Sequence, residues 1–301
     1  MKVALLVNPA ARGGSHTGAA STAAERLRVH GVQTAIISGG SAAESSSLLR
    51  TAIGVGVDAV VVAGGDGTVN LALQEVAGTG IPLGIVPAGT GNDFAETLGL
   101  RELDAVAAAD AIASGATRRV DLARVTRDDG TTAYFGSVLA SGFDSKVNDR
   151  ANAMRWPRGG SRYTLALLAE FARLAGIPYD VRMELADGTI ERVTGDLVMA
   201  TVGNGRHYGG GIPICPDADP ADGLLDVLLV RPAGRARLLR LLPRVYRGTH
   251  ASVPEVRMAR VRGVRLAAPR VTAYADGDPI GALPLSIDVV PGALTVFSPV
   301  G

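Results

Sequence analysis

Two glycine-rich segments carry the residues best suited to chemistry. Gly64-Gly65-Asp66-Gly67-Thr68 directly follows the apolar run Val60-Val61-Val62 and directly precedes a helical pattern. Such a strand–glycine–helix unit gathers free backbone N–H groups and the positive end of a helix dipole at one spot, which suits an anionic phosphate. Glycine is needed where a Cβ would block close approach or where φ must be positive. A tight strand-to-helix turn explains the segment equally well when it is taken alone. The second segment, Pro87-Ala88-Gly89-Thr90-Gly91-Asn92-Asp93-Phe94-Ala95, also follows an apolar strand and opens a helix. A third strand, residues 2–8, stops at Asn8-Pro9 before a loop of small residues that contains Arg12. In a parallel sheet these three strand ends lie on one edge, where ligands bind. Asp66 and Asp93 could bind Mg²⁺ directly or through water, or could cap a helix.

The elements that must position these loops alternate. Residues 2–8, 32–38, 58–63 and 83–86 read as strands, and 17–30, 42–55, 69–77 and 103–113 as helices. Strands separated by helices of this length predict βαβ units and a parallel sheet. After about residue 115 the pattern changes to short strands with turn signals, near 119–126, 132–138, 181–185, 191–194, 197–202, 225–230, 264–267, 271–275, 286–290 and 294–297, with one helix near 163–175. These predict an antiparallel second domain. The expected fold is α/β: a parallel-sheet nucleotide-binding domain over 1–120, to which residues 292–301 return, plus a β-rich, sandwich-like domain over 121–291. The active site is expected in the cleft between them.

Composition narrows the chemistry. The chain has 301 residues, a net charge of +1, two lysines (Lys2 and Lys146) against 28 arginines, and one cysteine, Cys215. Neither lysine follows a glycine, so the G-x-x-x-x-G-K-[ST] phosphate loop is absent, as are the H-R-D and D-F-G motifs of protein kinases. A single cysteine excludes an internal disulfide framework and a cysteine-rich zinc site, and fits a reducing compartment. No stretch of about 20 apolar residues spans a membrane, and the first residues are too short an apolar run for a signal peptide. The four histidines show no metal-binding spacing.

Residues 64–68 with 87–95, after Asn8-Pro9, resemble the diacylglycerol-kinase catalytic-domain family, which includes bacterial soluble diacylglycerol kinases, sphingosine kinases and ceramide kinases. The resemblance covers essentially the whole chain. Residues 142–150, 154–157 and 208–211 are especially similar to actinobacterial diacylglycerol kinases. It implies an ATP- and Mg²⁺-dependent lipid kinase that phosphorylates the free hydroxyl of diacylglycerol to give phosphatidate. Sphingoid-base or ceramide kinase, and a non-catalytic lipid- or nucleotide-binding protein, are the alternatives. NAD kinase shares the G-G-D-G motif, but Asn92-Asp93-Phe94 does not resemble its acceptor-binding motif.

On the same resemblance, Asn8, Pro9, Arg12, Gly64, Gly65, Asp66, Gly67, Thr68, Gly89, Thr90, Gly91 and Asn92 would contact the nucleotide. Asp66, Asp93 and Asp121 would form the Mg²⁺-organising acidic set. Asp276, in Ala275-Asp276-Gly277-Asp278, matches the family's D-G-E and would be the general base, although pattern alone reads it as a hairpin turn. Asp219, Asp222 and the Leu224 carbonyl would ligate a structural metal, where an acidic turn is the plainer reading. Leu71, Asp278 and Ala221 depart from the family pattern.

Residues 231–270 hold eleven arginines and one acid, Glu255. Arg237, Arg240, Arg244 and Arg247 recur at helical spacing, with Leu238, Leu241, Leu242 and Val245 on another face and Pro243 expected to kink or divide the helix. Such a helix, Arg235 to Arg247, suits an anionic membrane surface and equally suits packing by its leucines with solvated arginines. Nucleic-acid binding is disfavoured by few aromatics and near-zero net charge. The expected location is cytoplasmic, peripheral at the inner face of the membrane. Sequence leaves the oligomeric state open, a homodimer included.

Overall fold

The computed structural model describes residues 1–7, 15–154, 156 and 160–299. Asn8, Pro9 and Arg12, and with them the first expected nucleotide loop, lie outside the described residues. The amino-terminal part runs β1 (Lys2–Val7), α1 (Ser15–Val29), β2 (Gln33–Ile37), α2 (Ala42–Val55), β3 (Ala59–Gly64), α3 (Asp66–Val76), β4 (Leu83–Pro87), α4 (Asp93–Thr97) and α5 (Ala105–Ser114). Its strands pair in parallel in the order β2-β1-β3-β4. Side chains alternate across a strand, so Val60 and Val62 meet Leu49, Val69 and Leu73 on one face, while Val61 meets Leu27 and Ile112 on the other. Both faces are covered, which is why β3 has no polar alternation.

The remainder comprises β5 (Thr117–Arg127), β6 (Thr132–Phe135), β7 (Val138–Gly142), α6 (Phe143–Ala153), α7 (Gly160–Ala172), β8 (Ile177–Leu185), β9 (Ile190–Leu197), β10 (Met199–Gly203), β11 (His207–Tyr208), β12 (Ile212–Pro213), β13 (Leu225–Val230), α8 (Arg235–Tyr246), β14 (Val256–Ala267), β15 (Thr272–Ala275), β16 (Asp278–Ala282) and β17 (Leu285–Phe297). Antiparallel pairing runs β16-β15-β7-β10-β13-β14-β17, with β5 on β17 and β6 on β5, and β8 on β14 and β9 on β8. A second core, including Phe135, Leu139, Met183, Leu225, Val261 and Ile287, fills the space between these strands.

β17 unites the two parts. Residues Leu285 to Asp288 pair with β14, and Leu294 to Phe297 pair with β5 while Val296 lies beside Leu83 of β4. The end of β17 therefore joins the amino-terminal sheet, and one 15-stranded sheet runs through the described residues.

Several elements differ from expectation. The two strands expected at 286–290 and 294–297 are one, interrupted by a register shift between Val290 and Leu294 where Gly292 takes φ 57°. Pro243 lies inside α8 without dividing it. β7 and α6, which the sequence reading did not resolve, follow one another directly. The helix expected at 69–77 starts three residues earlier, at Asp66, because extended Gly65 accepts the N–H groups of Thr68 and Val69 through its carbonyl. Gly67 and Thr68 thus belong to the first turn of α3.

Candidate active site

β3 and β4 end in register, Gly64 opposite Pro87, which sets the two glycine loops side by side. A Cβ on Gly89 would lie 2.5 Å from the Gly65 Cα and 2.7 Å from Asn92 Oδ1, so the two backbones touch and Gly89 cannot carry a side chain. Asn92 braces its own loop: Gly89 N–H donates to its Oδ1 and its Nδ2 donates to the Gly89 carbonyl, both at 3.0 Å, with Asn92 itself at φ 56°. Asp66, in the first turn of α3, ties the loops together. Its Oδ2 accepts the Asn92 N–H at 2.8 Å and its Oδ1 accepts the Asp93 N–H at 2.7 Å. A carboxylate is favoured there by the helix dipole. Thr68 is buried beneath the loop, whereas Gly67 and Thr90 are exposed and free to meet a ligand.

Asp93 reaches into the other half of the chain. Its carboxylate accepts N–H groups from Gly210 and Gly211, at 3.0 Å each to Oδ1, in the turn between β11 and β12. Gly209, Gly210 and Gly211 all have positive φ, which accounts for the glycine triplet. Burial, then the charge of Asp66, raises the Asp93 pKa against the pull of these amides and Arg101.

Asp276 lies in the tight turn between β15 and β16, with φ 49° followed by Gly277 at 88°. It is thus a hairpin residue, as its pattern suggests, and its side chain also turns inward. The carboxylate accepts N–H groups from Gly136 (2.8 Å), Ser137 (3.0 Å) and Val138 (3.2 Å). Burial outweighs those bonds and, with a contribution from Asp66, pushes its pKa up to about 6. The charge of Asp66 raises the pKa of both Asp93 and Asp276, which puts the carboxylates of α4 and of the β15–β16 turn within its electrostatic reach. Asp278 accepts a 3.1 Å bond from Asn70 Nδ2 of α3, which ties the β15–β16 hairpin to that helix.

Asp121 is engaged elsewhere. It is buried on β5, where its carboxylate accepts the N–H groups of Gly223 (2.7 Å) and Gly292 (2.6 Å). It therefore fastens the 217–224 loop to the bulge of β17. Asn204, wholly buried, links it to the site by donating to the carbonyls of Asp121 and Gly136 at 3.0 and 2.8 Å. Neither Asn204 nor the amide role of Gly210 and Gly211 is legible in sequence beyond the glycine triplet.

In the 217–224 loop, Asp219 accepts the Ala221 N–H and Asp222 accepts the Leu224 N–H, each at 3.0 Å. Asp222 also forms an ion pair with Arg260 of β14. Asp226 is buried behind them, its pKa pushed up to about 6 by burial and by Asp222 and Asp217 against Arg260. Among the described residues no three His, Cys, Asp or Glu side chains converge to hold a metal ion. In the expected Asp219–Asp222–Leu224 loop, the Asp222 carboxylate is paired with the Arg260 guanidinium.

Two family models cover this arrangement: the diacylglycerol kinase catalytic domain matches residues 2–125, and the YegS C-terminal NAD kinase beta sandwich-like domain matches residues 137–298. Over 298 residues the chain is 47% identical to a diacylglycerol kinase of Mycobacterium tuberculosis (strain ATCC 25618 / H37Rv), covering 99% of this chain and 95% of that protein. The chain belongs to the diacylglycerol kinase family. This lipid kinase is also 32% identical to a protein of Stenotrophomonas maltophilia described as "Probable lipid kinase YegS-like", over 86% of this chain and 84% of that one. The kinase shares its fold with a crystal structure of a diacylglycerol kinase from Bacillus anthracis, at a TM-score of 0.71 and 22% identity, covering 98% and 96% of the two chains. The expected pairing of a parallel-sheet domain with a β-rich domain is thus met. As a kinase of this family it takes its phosphoryl group from ATP.

Proposed function

We propose that this kinase transfers the γ-phosphoryl group of ATP to the free hydroxyl of diacylglycerol, giving phosphatidate. The observation that carries the reading is Asp276, half-buried in the β15–β16 turn, where burial pushes its pKa up to about 6 and the charge of Asp66, beside the nucleotide loops, reaches it. The α3 amino terminus and the 89–92 loop hold the triphosphate through N–H groups, together with the Asn8, Pro9 and Arg12 loop. Asp276 accepts the acceptor hydroxyl proton as its oxygen attacks the γ-phosphorus and ADP leaves. Positioning and charge neutralisation do most of the work in such a transfer.

Asp66 and Asp93 suit Mg²⁺ that enters on the nucleotide, since hard carboxylate oxygens and retained waters are its usual partners. Mg²⁺ would neutralise charge on the phosphate oxygens. The repulsion of Asp66 on Asp93 and on Asp276 supports this assignment, because a cation would relieve it. The acceptor resides in a bilayer, so the reading includes peripheral attachment to the cytoplasmic leaflet through the Arg235 to Arg247 segment. No helix among the described residues is long and apolar enough to cross a membrane.

The test is transfer of labelled phosphate from ATP, with Mg²⁺, to diacylglycerol, sphingosine, ceramide and NAD in mixed micelles. Label in diacylglycerol is expected. Label in sphingosine or ceramide with none in diacylglycerol would overturn the acceptor assignment.

A further inference from the structure

We propose that α7 and α8 form a single bilayer-docking platform, in which exposed apolar side chains enter the leaflet and Arg240 and Arg244 of α8, with Arg247 at its end, contact anionic headgroups. This inference rests on the reading that the acceptor is a membrane lipid. α8 divides into three faces. Leu238, Leu241 and Val245 pack into the protein. Leu239, Leu242 and Tyr246, spaced i, i+3, i+7, are instead turned to solvent, 50%, 40% and 66% exposed. Beside them run Arg240, Arg244 and Arg247, all exposed, their side chains without an ion pair or hydrogen bond among the described residues. Arg235 and Arg237 are already used, on the Ala172 carbonyl and on Glu255. The headgroup role therefore falls to the other three arginines.

The end of α7 meets α8. Arg235 Nη2 donates to the carbonyl of Ala172, the last residue of α7, at 2.7 Å, and Phe171 shares a core cluster with Leu238 and Leu241. Ala166 packs on Val147 and Ala151 of α6, whereas Leu165 and Leu168 stay exposed, and Trp156, between α6 and α7, is 80% exposed. A basic stripe bordering an apolar one is the pattern of a helix lying in the membrane interface. A purely solvated helix has no use for Leu239, Leu242 and Tyr246 on its outer side, and a purely apolar partner leaves the arginines without counter-charge.

α6, on which Ala166 of α7 packs, is tied to the site. Tyr208 O–H donates to Asp144 of α6 at 2.8 Å, and the next turn holds Asp93. Tyr274 O–H donates to Asp149 of α6 at 2.6 Å, two residues before Asp276. Docking would bring the cleft mouth to the leaflet.

Trp156 is the only tryptophan of the chain, so its emission reports docking directly. The full chain, without nucleotide, is titrated with phosphatidylcholine vesicles and with vesicles containing about one-third phosphatidylglycerol, and co-sedimentation is measured in parallel. A blue shift and co-sedimentation with the anionic vesicles, both reduced by salt, are expected. The combined Leu165→Ser, Leu168→Ser, Leu239→Ser and Leu242→Ser variant should lose about tenfold or more in partitioning. Arg240→Gln, Arg244→Gln and Arg247→Gln together should remove the preference for anionic lipid. Both variants should still phosphorylate a short-chain, water-soluble diacylglycerol, which shows that they fold. Wild-type partitioning by the leucine variant overturns the proposal, as does equal response to both vesicle types. A concentration-dependent shift without lipid, with a dimer in sedimentation, overturns it in favour of a second copy of the chain. Vesicle binding without transfer to any lipid would refute the acceptor reading and leave the platform standing.

Discussion

Replacing Asp276 by asparagine tests the site through two opposing energies. The native carboxylate accepts three backbone N–H groups, one on Oδ2 from Gly136 and two on Oδ1. Asparagine keeps the two on its carbonyl oxygen but sets an NH₂ donor against the Gly136 N–H. An unsatisfied buried donor costs about 1–3 kcal/mol. The second energy has the other sign. Burial raises the native pKa to about 6, against about 4 in an unfolded chain. The folded state therefore binds the proton more tightly. Wild-type stability falls as pH rises from about 4 through about 6, where the native carboxylate ionises at a cost. Two pH units correspond to roughly 3 kcal/mol, and partial access of water from the cleft reduces this to about 2 kcal/mol.

An asparagine side chain cannot titrate, so that cost is absent from Asp276→Asn. The variant should be less stable than wild type by about 1–3 kcal/mol near pH 4.5, and the gap should close or reverse by about pH 7.5. Urea unfolding followed by circular dichroism at several pH values measures this. Phosphoryl transfer should fall by a factor of about 10²–10⁴ at every pH, while wild-type kcat/KM should rise with pH through about 6. A stability difference that is flat with pH would show that Asp276 is not the raised carboxylate. Turnover within about threefold of wild type would remove it as the base.

Other perturbations discriminate among the remaining roles. Gly89→Ala should abolish binding of a fluorescent ATP analogue, because its Cβ would collide with the Gly65 backbone at 2.5 Å; retained affinity would show that the loops can part freely. Asp121→Asn should lower Tm, at a cost of about 1–3 kcal/mol for one lost amide bond, yet leave kcat of the folded fraction within a few-fold of wild type. A selective loss of kcat would place Asp121 in the chemistry. Wild-type Tm should be insensitive to EDTA, since Arg260 neutralises Asp222, whereas Arg260→Ala should acquire a Tm that rises with added Mg²⁺ or Ca²⁺. Calorimetry in both conditions decides this.

Much of the architecture is legible because it depends on local pattern. Val60-Val61-Val62 reads as a strand covered on both faces, and the helix at 42–55 matches α2 because Ser41 caps it and Gly56 ends it in a left-handed conformation. Boundaries fail where tertiary contact overrules propensity. Gly65-Asp66-Gly67 looks like loop, since glycine is a poor helix former. Gly65 nevertheless caps α3, and Asp66 is held in its first turn by the second loop. Pro291-Gly292 looks like a strand break, but Asp121 takes the Gly292 N–H and β17 continues past the bulge. β7 and α6 lack distinct periodicity because β7 is buried on both faces and α6 packs mainly on its neighbours.

By itself the sequence determined the glycine loops, the absence of a lysine phosphate loop, the supply of acids and the arginine-rich helix. These follow from residue type and near-neighbour spacing. Only the tertiary structure decided how the acids divide. Asp66, Asp93 and Asp276 come from α3, α4 and a hairpin turn, and the fold brings the second and third within reach of the charge of the first. Asp121 is equally acidic and, like them, accepts backbone N–H groups, but it stands on β5, where it fastens the 217–224 loop to the bulge of β17. The arginines divide for the same reason: a carbonyl and a glutamate from other elements take Arg235 and Arg237, leaving Arg240, Arg244 and Arg247 beside an apolar face. Which charges remain available for chemistry depends on which backbone and side-chain partners the fold brings within reach.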